Sequence, residues 1–253
     1  MFPEKNYTLG RGKLYFDNGT GQRYIGNTPS VKLTSSSESL DHFDSDNGVK
    51  QKDASVLLSL NRNGSFTTDQ ISPENLALFF LGSASVVSVV GATALTDTHT
   101  SVVLGNRYQI GATPSAPAGA RGITNVVVTV SASAKTVDVD YTVDAASGGI
   151  VYLPTGSIVA GDDVDITYDT TTTTYNRVVT AGDAEITGSL LFVSTNPRGA
   201  KFDYFWPQVS LTPDGDFELK GDEWQQISFS FAAEKKDDNT EVVYINGRPG
   251  DSV

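Results

Sequence analysis

Two histidines and no cysteine set the limits on chemistry in this chain. A Ser or Thr nucleophile needs a base beside it, and only His42 and His99 are on offer. Asp41 adjoins His42, but neighbours on a strand point to opposite faces, and no Gly-x-Ser-x-Gly elbow accompanies them. Thiolate nucleophiles, thiolate metal sites and disulfide frameworks are excluded outright, which fits assembly in a reducing cytosol. The stretch DSDNG (residues 44–48) resembles a calcium loop. Gly48 falls at the fifth ligand position and no Glu at the twelfth, so a solvated turn is the better reading. GRGK (10–13) lacks the spacing of a phosphate loop. Asp138/Asp140 and Asp163/Asp165 are carboxylate pairs at i, i+2 of the sort glycosidases use. They lie in segments without a cleft signal and read as a solvated acidic face. No catalytic residue, cofactor or metal ligand is assigned, and the chain is read as a protein that is not an enzyme.

The aromatic cluster DYFWPQV (203–209) could stack on a sugar or a base. Core packing or a protein interface is preferred, because the basic neighbours of a nucleic-acid site are missing. A net charge of −12 agrees, since gripping phosphate needs clustered Lys and Arg. The sequons at Asn6, Asn18 and Asn63 carry little weight beside an N-terminus without a basic and then apolar leader. The apolar run VVSVVGATAL (86–95) is too short and broken to span a bilayer, so no membrane is expected.

The elements around these residues are strands. VKLTSSSESL, ASVLLSL, EITGSLLF and WQQISFSF alternate with period two. Val31 and Leu33 oppose Lys32, Thr34, Ser36 and Glu38. Val56, Leu58 and Leu60 oppose Ser55, Leu57 and Ser59. Ile227, Phe229 and Phe231 oppose Gln226, Ser228 and Ser230. Their polar faces are hydroxyls and amides with few charges. A long loop is expected over residues 41–53, acidic first (Asp41, Asp44, Asp46) and basic later (Lys50, Lys52), closing on Asp53. One helix interrupts the pattern at SPENLALFFLG, with Ser72 as N-cap, Pro73 in the first turn and Gly82 as the left-handed stop. Residues 103–169 read as an inserted small β domain on the outer surface, within a discontinuous domain of residues 1–102 and 170–253. TTTTT (170–174) reads as a connector. The tail carries a charge run and a strand, EVVYI, and is either a frayed end or an arm docking on a neighbour.

The order of three segments is similar to a known family. YTLGRGKLYFD comes first, then RYIGNTPSVKLTSSSESLDHFDSDNGVKQKDASVLLSLNRNGSFTTDQISPENLALFFLG. Much later comes AEITGSLLFVSTNPRGAKFDYFWPQVSLTPDGDFELKGDEWQQISFSF. Over roughly residues 1–97 and 175–235 these resemble the major tail tube protein of long, non-contractile-tailed bacteriophages. The resemblance implies a mainly β fold, a β-sandwich or partial barrel flanked by one short helix. It implies hexameric rings stacked into a tube that conducts double-stranded DNA without binding it specifically. The implied location is the virion tail, after synthesis in the host cytoplasm. The implied partners are other copies of the chain, a tape measure protein in the lumen before ejection, and tail tip and tail terminator proteins. On that reading Lys32, Thr34, Ser36, Glu38, Ser55, Ser59, Gln226, Ser228 and Ser230 face the lumen. Asp41, Asp44, Asp46, Lys50, Lys52 and Asp53 form a contact between rings. The alternatives are a monomeric carbohydrate-binding β-sandwich of a tail tip or cell surface, a polysaccharide hydrolase, and a tail terminator or secretion-tube relative that forms a single ring.

Overall fold

The structure is a computed structural model that describes residues 7–46, 48–180 and 185–249. In chain order the strands and helix are β1 (Gly12–Asp17), β2 (Arg23–Tyr24), β3 (Ser30–Asp44), β4 (Gln51–Thr68), α1 (Pro73–Phe79), β5 (Ser83–Val89), β6 (Ala92–His99), β7 (Arg107–Gln109), β8 (Ile123–Val130), β9 (Ser133–Ala134), β10 (Tyr141–Asp144), β11 (Gly149–Tyr152), β12 (Val164–Thr170), β13 (Thr173–Val179), β14 (Ile186–Ser194), β15 (Phe202–Asp214), β16 (Ile227–Ala233) and β17 (Tyr244–Gly247). The fold is mainly β and sandwich-like, and no sheet closes into a barrel among the described residues. It divides into two compact units, Met1–Ser85 with Arg177–Val253, and Val86–Asn176.

The first unit is one sheet in the order β2-β1-β14-β15-β16-β4-β3, with β17 beside β15. Its strands bury alternate residues. In β16, Ile227, Phe229 and Phe231 are buried while Ser228 and Ser230 are only partly covered. These join Leu14, Phe16, Phe66, Leu190, Trp206, Val209 and Leu211 in one core. Gly64 lies under the Phe231 ring; a Cβ there would overlap it. Strand β15 changes partner along one edge, pairing with β17 over residues 202–205 and with β16 over 209–214. At the change, Pro207 and Gln208 together oppose the single residue Ser189. A bulge is where a strand tolerates a residue without a ladder N–H.

Helix α1 starts as its cap residues dictate. The Ser72 hydroxyl accepts from the Asn75 amide at 3.2 Å, and Pro73 fills a first-turn position that needs no N–H. Its end differs from expectation. The left-handed residue is Leu81, at φ +50°, not Gly82. The Leu81 N–H donates to Leu78 O at 3.4 Å and the Gly82 N–H to Ala77 O at 2.8 Å, the paired bonds of a Schellman stop. Gly82 is required for another reason: a Cβ there would overlap the Val179 carbonyl. The helix seats Leu76, Leu78 and Phe79 on the core, with Phe79 edge-on to Phe229 at 6.2 Å between ring centroids. Asn75, buried, locks it down. Its side-chain amide donates to Ile25 O at 2.7 Å and Gln70 O at 2.8 Å, and its carbonyl accepts from Arg23 at 2.9 Å.

The second unit has a sheet β6-β12-β8-β9 and a sheet β10-β11-β7 around Val102, Ile110, Ile123, Val128, Ile150, Tyr152, Val164, Ile166 and Tyr168. It is wider than the expected 103–169. Strand β6 belongs to it because Thr96 to His99 pair with Val164 to Thr167 of β12, a long-range pairing that no local pattern announces. The threonine run is not a linker: Thr170 ends β12, and Thr173 and Thr174 begin β13. The chain leaves the first unit along β5 and returns along β13, and these two strands pair with each other.

Candidate functional site

Strands β3 and β4 are 15 and 18 residues long, yet β16 pairs with β4 only over Asn63–Thr68. Beyond that point, among the described residues, β3 and β4 pair with nothing but each other. At ~3.3 Å per residue the hairpin reaches roughly 35 Å past the sheet. Nearly every residue from Lys32 to Asn61 is exposed. An isolated two-stranded ribbon is marginal in water, and this one also presents Leu33, Leu40, Phe43, Val56, Leu57, Leu58 and Leu60 to solvent.

The register sorts the faces. Lys32, Thr34, Ser36 and Glu38 share a face with Ser59 opposite Glu38, and with Ser65, which pairs across to Ser230. Ser228 stands on the same face, its hydroxyl 3.0 Å from that of Thr67. Asn61 and Asn63 complete a continuous hydroxyl and amide surface. Of the nine residues expected there, one is on the other face and one lies outside the strands. Ser55 lies on the opposite face, because Leu58 is an extra residue in β4: Glu38 pairs with Ser59 and Ser39 with Leu57, so the parity shifts by one. Ser55 donates instead to Asp41 at 2.7 Å. Gln226 precedes β16. By the same shift Leu57 and Leu60 stand together, not opposed.

The expected loop over 41–53 is mostly strand. Only residues 45–50 turn, and Asn47 lies outside the described residues. The charges close on each other: Lys52 to Asp41 at 2.6 Å, and His42 Nδ1 to Asp53 at 2.6 Å. The Lys52 hydrogen bond, then that from Ser55, holds the Asp41 carboxyl below the usual carboxylate range. Asp44 accepts from the Asp46 amide at 2.9 Å. Lys50 remains in the turn. Asp41, Lys52 and Asp53 are thus paired within the chain, across the two strands near the tip of the hairpin.

The chemistry-bearing residues elsewhere have structural partners. His99 is wedged in the second unit, with Nδ1 2.7 Å from the Tyr152 hydroxyl and its ring stacked on Tyr108. Asp138 and Asp140 lie in a turn rather than on a strand; Asp140 accepts from the amides of Thr136 at 2.7 Å and Ser157 at 2.6 Å. Asp163 accepts from the Ser101 amide, and Asp165 from the Thr98 hydroxyl. Among the described residues no three His, Cys, Asp or Glu come within reach of one metal ion. In DYFWP, Trp206 is 2% exposed, with Tyr204 stacked on it at 6.1 Å and Phe231 edge-on. That cluster is core. The tail strand is Tyr244–Gly247, shifted from EVVYI, and docks on β15 of its own chain; the last residues, 250–253, lie outside the described residues. No helix among the described residues is long and apolar enough to cross a membrane.

Together these features define a mainly β protein with an inserted unit and one unpartnered ribbon. The chain belongs to the family described as Protein of unknown function UCP028589, whose model matches residues 7–243. No curated protein was found to match it.

Proposed function

We propose that this protein is a structural subunit that polymerises through its hairpin arm into a tube, in the manner of the tail tube of a long-tailed bacteriophage. The observation that carries the reading is the β3–β4 arm, whose backbone edges and apolar side chains face solvent on both sides. Arms from neighbouring copies, laid side by side, satisfy those edges and close a continuous inner sheet. Within it the surface of Lys32, Thr34, Ser36, Glu38, Ser59, Ser228 and Ser230 lines the channel. Such a wall is wet and nearly neutral, and it lets a polyanion pass without holding it, in keeping with the chain's acidic balance. Rings of six, a virion location and contacts with tape measure, tip and terminator proteins belong to this proposal through the resemblance. No exposed aromatic face in DYFWP favours the sugar-binding alternative.

The test is negative-stain electron microscopy and size-exclusion chromatography of the purified chain over a concentration series. Beside it runs a variant in which residues 37–60 are replaced by an Asn-Gly turn, which keeps Ser36 opposite Asn61. Hollow tubes or stacked rings from the intact chain, and a folded monomer from the variant, are expected. Tubes from the armless variant would sink the arm's role, and a monomeric intact chain at every concentration would count against the tube.

A further inference from the structure

The two loops at opposite ends of β15 carry opposite charge. Beyond its C-terminal end, residues 214–226 hold Asp214, Asp216, Glu218, Asp222 and Glu223 against the single Lys220. This loop is braced rather than frayed. Phe217 packs under Phe79 and Phe80 at 6.0 and 6.4 Å, and the Gln225 side chain donates to Glu218 O at 2.9 Å. On this brace Leu219 is exposed, and Trp224 is 91% exposed. An indole held in water by an ordered loop is a contact anchor without its partner.

At the other end of β15 lie the start of β1, the loop after β14 and the end of β17. They hold Arg11, Lys13, Arg198, Lys201 and Arg248, with Asp203 the one carboxylate among residues 9–13, 195–203 and 244–249. Hydrogen bonds fix this end: the Thr195 N–H to Arg11 O at 2.7 Å, the Arg11 N–H to the Asn196 side-chain Oδ1 at 2.8 Å and the Leu9 N–H to Arg198 O at 3.1 Å. Beside Arg11 opens a cleft of ≈ 560 Å³ lined by Gly12, Pro29, Val31 and Phe192 among others. It has a guanidinium at its rim, a group that stacks on an aromatic ring.

We infer that the acidic Trp224 loop of one copy docks on the basic end of the next, with the indole entering the cleft beside Arg11. The partner is a second copy because one chain carries both halves of a complementary pair at opposite ends. Such a contact is heterologous and propagates head to tail. This deepens the proposed function by naming the axial contact, and it moves that role from the hairpin tip to residues 214–226.

The experiment uses two charge-reversed full-length chains. One carries Asp216→Lys, Glu218→Lys and Glu223→Lys; the other carries Arg11→Glu, Lys13→Glu and Arg198→Glu. Sedimentation velocity and electron microscopy are run on each alone, on a 1:1 mixture and on the wild type, at low and high salt. Each reversed chain is expected to lose end-to-end growth, and the mixture to restore it, since each loop then meets an end of opposite sign. Trp224→Ala, at a fully solvated position, guards against misfolding and is expected to weaken association by about tenfold or more. Reversed chains that build tubes of wild-type length overturn this contact and leave the tube reading standing. Mixture-dependent, salt-sensitive association without hollow tubes supports the contact and removes the tube. A wild-type chain that stays monomeric throughout overturns both.

Discussion

Leu57 and Leu60 stand on one face of the hairpin arm, 58% and 44% exposed, on a stretch of β4 that pairs with nothing but β3 among the described residues. Apolar neighbours on one sheet face ordinarily have a sheet or a helix above them. Here both side chains are left facing solvent, as the proposed assembly requires.

Changing both Leu57 and Leu60 to Ser separates stability from assembly. The folded chain loses little, within about 0.5 kcal/mol per site, because the side chains are already in water. Association should fall by at least about tenfold, since each full apolar side chain buried in a contact contributes roughly 1.5–3 kcal/mol. Thermal unfolding and concentration-dependent sedimentation read the two effects independently. Unchanged assembly would mean that the arm does not use this face.

Adjacent residues at the end of α1 should respond with opposite sign. Leu81→Gly relieves a left-handed residue at φ +50° and is expected to stabilise by about 0.5–1 kcal/mol. Gly82→Ala pushes a methyl into the Val179 carbonyl and is expected to cost about 1–3 kcal/mol. Urea titration of the two variants checks both. A destabilised Leu81→Gly would show that the leucine's packing outweighs its backbone strain.

Asn75→Ala strips Ile25 O, Gln70 O and the Arg23 guanidinium of one buried partner at once. A loss of about 2–3 kcal/mol is expected, with the helix signal in hydrogen exchange lost before that of β15 and β16. Uniform exchange across both would mean that α1 unfolds only with the sheet.

The second unit should weaken in mild acid. Burial lowers the His99 pKa below its ordinary value, and nearby Asp97 opposes this only in part. The unfolded chain binds a proton near pH ~6.5 that the folded chain resists. Stability is thus full above that pH and is lost as pH falls from it toward the lower folded value. Groups facing the imidazole are Asp97, Tyr108 and Tyr152. Denaturant melts at pH 7 and pH 5 should show the drop in the wild type and a flatter profile in His99→Gln. Equal pH profiles would remove His99 as the cause.

Much of this was readable from residue order. Period two in 227–233 gave a strand with its buried and polar faces assigned, and Ser72 with Pro73 gave the start of α1. The failures share a cause: pairing information that a single strand does not contain. Charges made 41–53 look like a loop, but Asp41 pairs with Lys52 and Asp53 hydrogen-bonds His42 across the strands, so the ladder continues. One bulge residue, Leu58, put Ser55 on the wrong face. The insert began too late because the partner of β6 lies some seventy positions away in β12. Asn75 gave no signal at all, being an ordinary helix residue until Ile25 and Gln70 close around it.

Strands β5 and β13 lie side by side where the chain departs for the second unit and comes back. A socket with neighbouring terminals accepts any plug whose own ends are close. The host sheet need not know what the plug is, so the second unit can be removed without breaking a strand of the first unit's sheet. Replacing residues 90–172 with an Asn-Gly turn should leave a chain with the first unit's circular dichroism and cooperative melt. A collapsed or non-cooperative product would mean that the second unit is part of the frame instead.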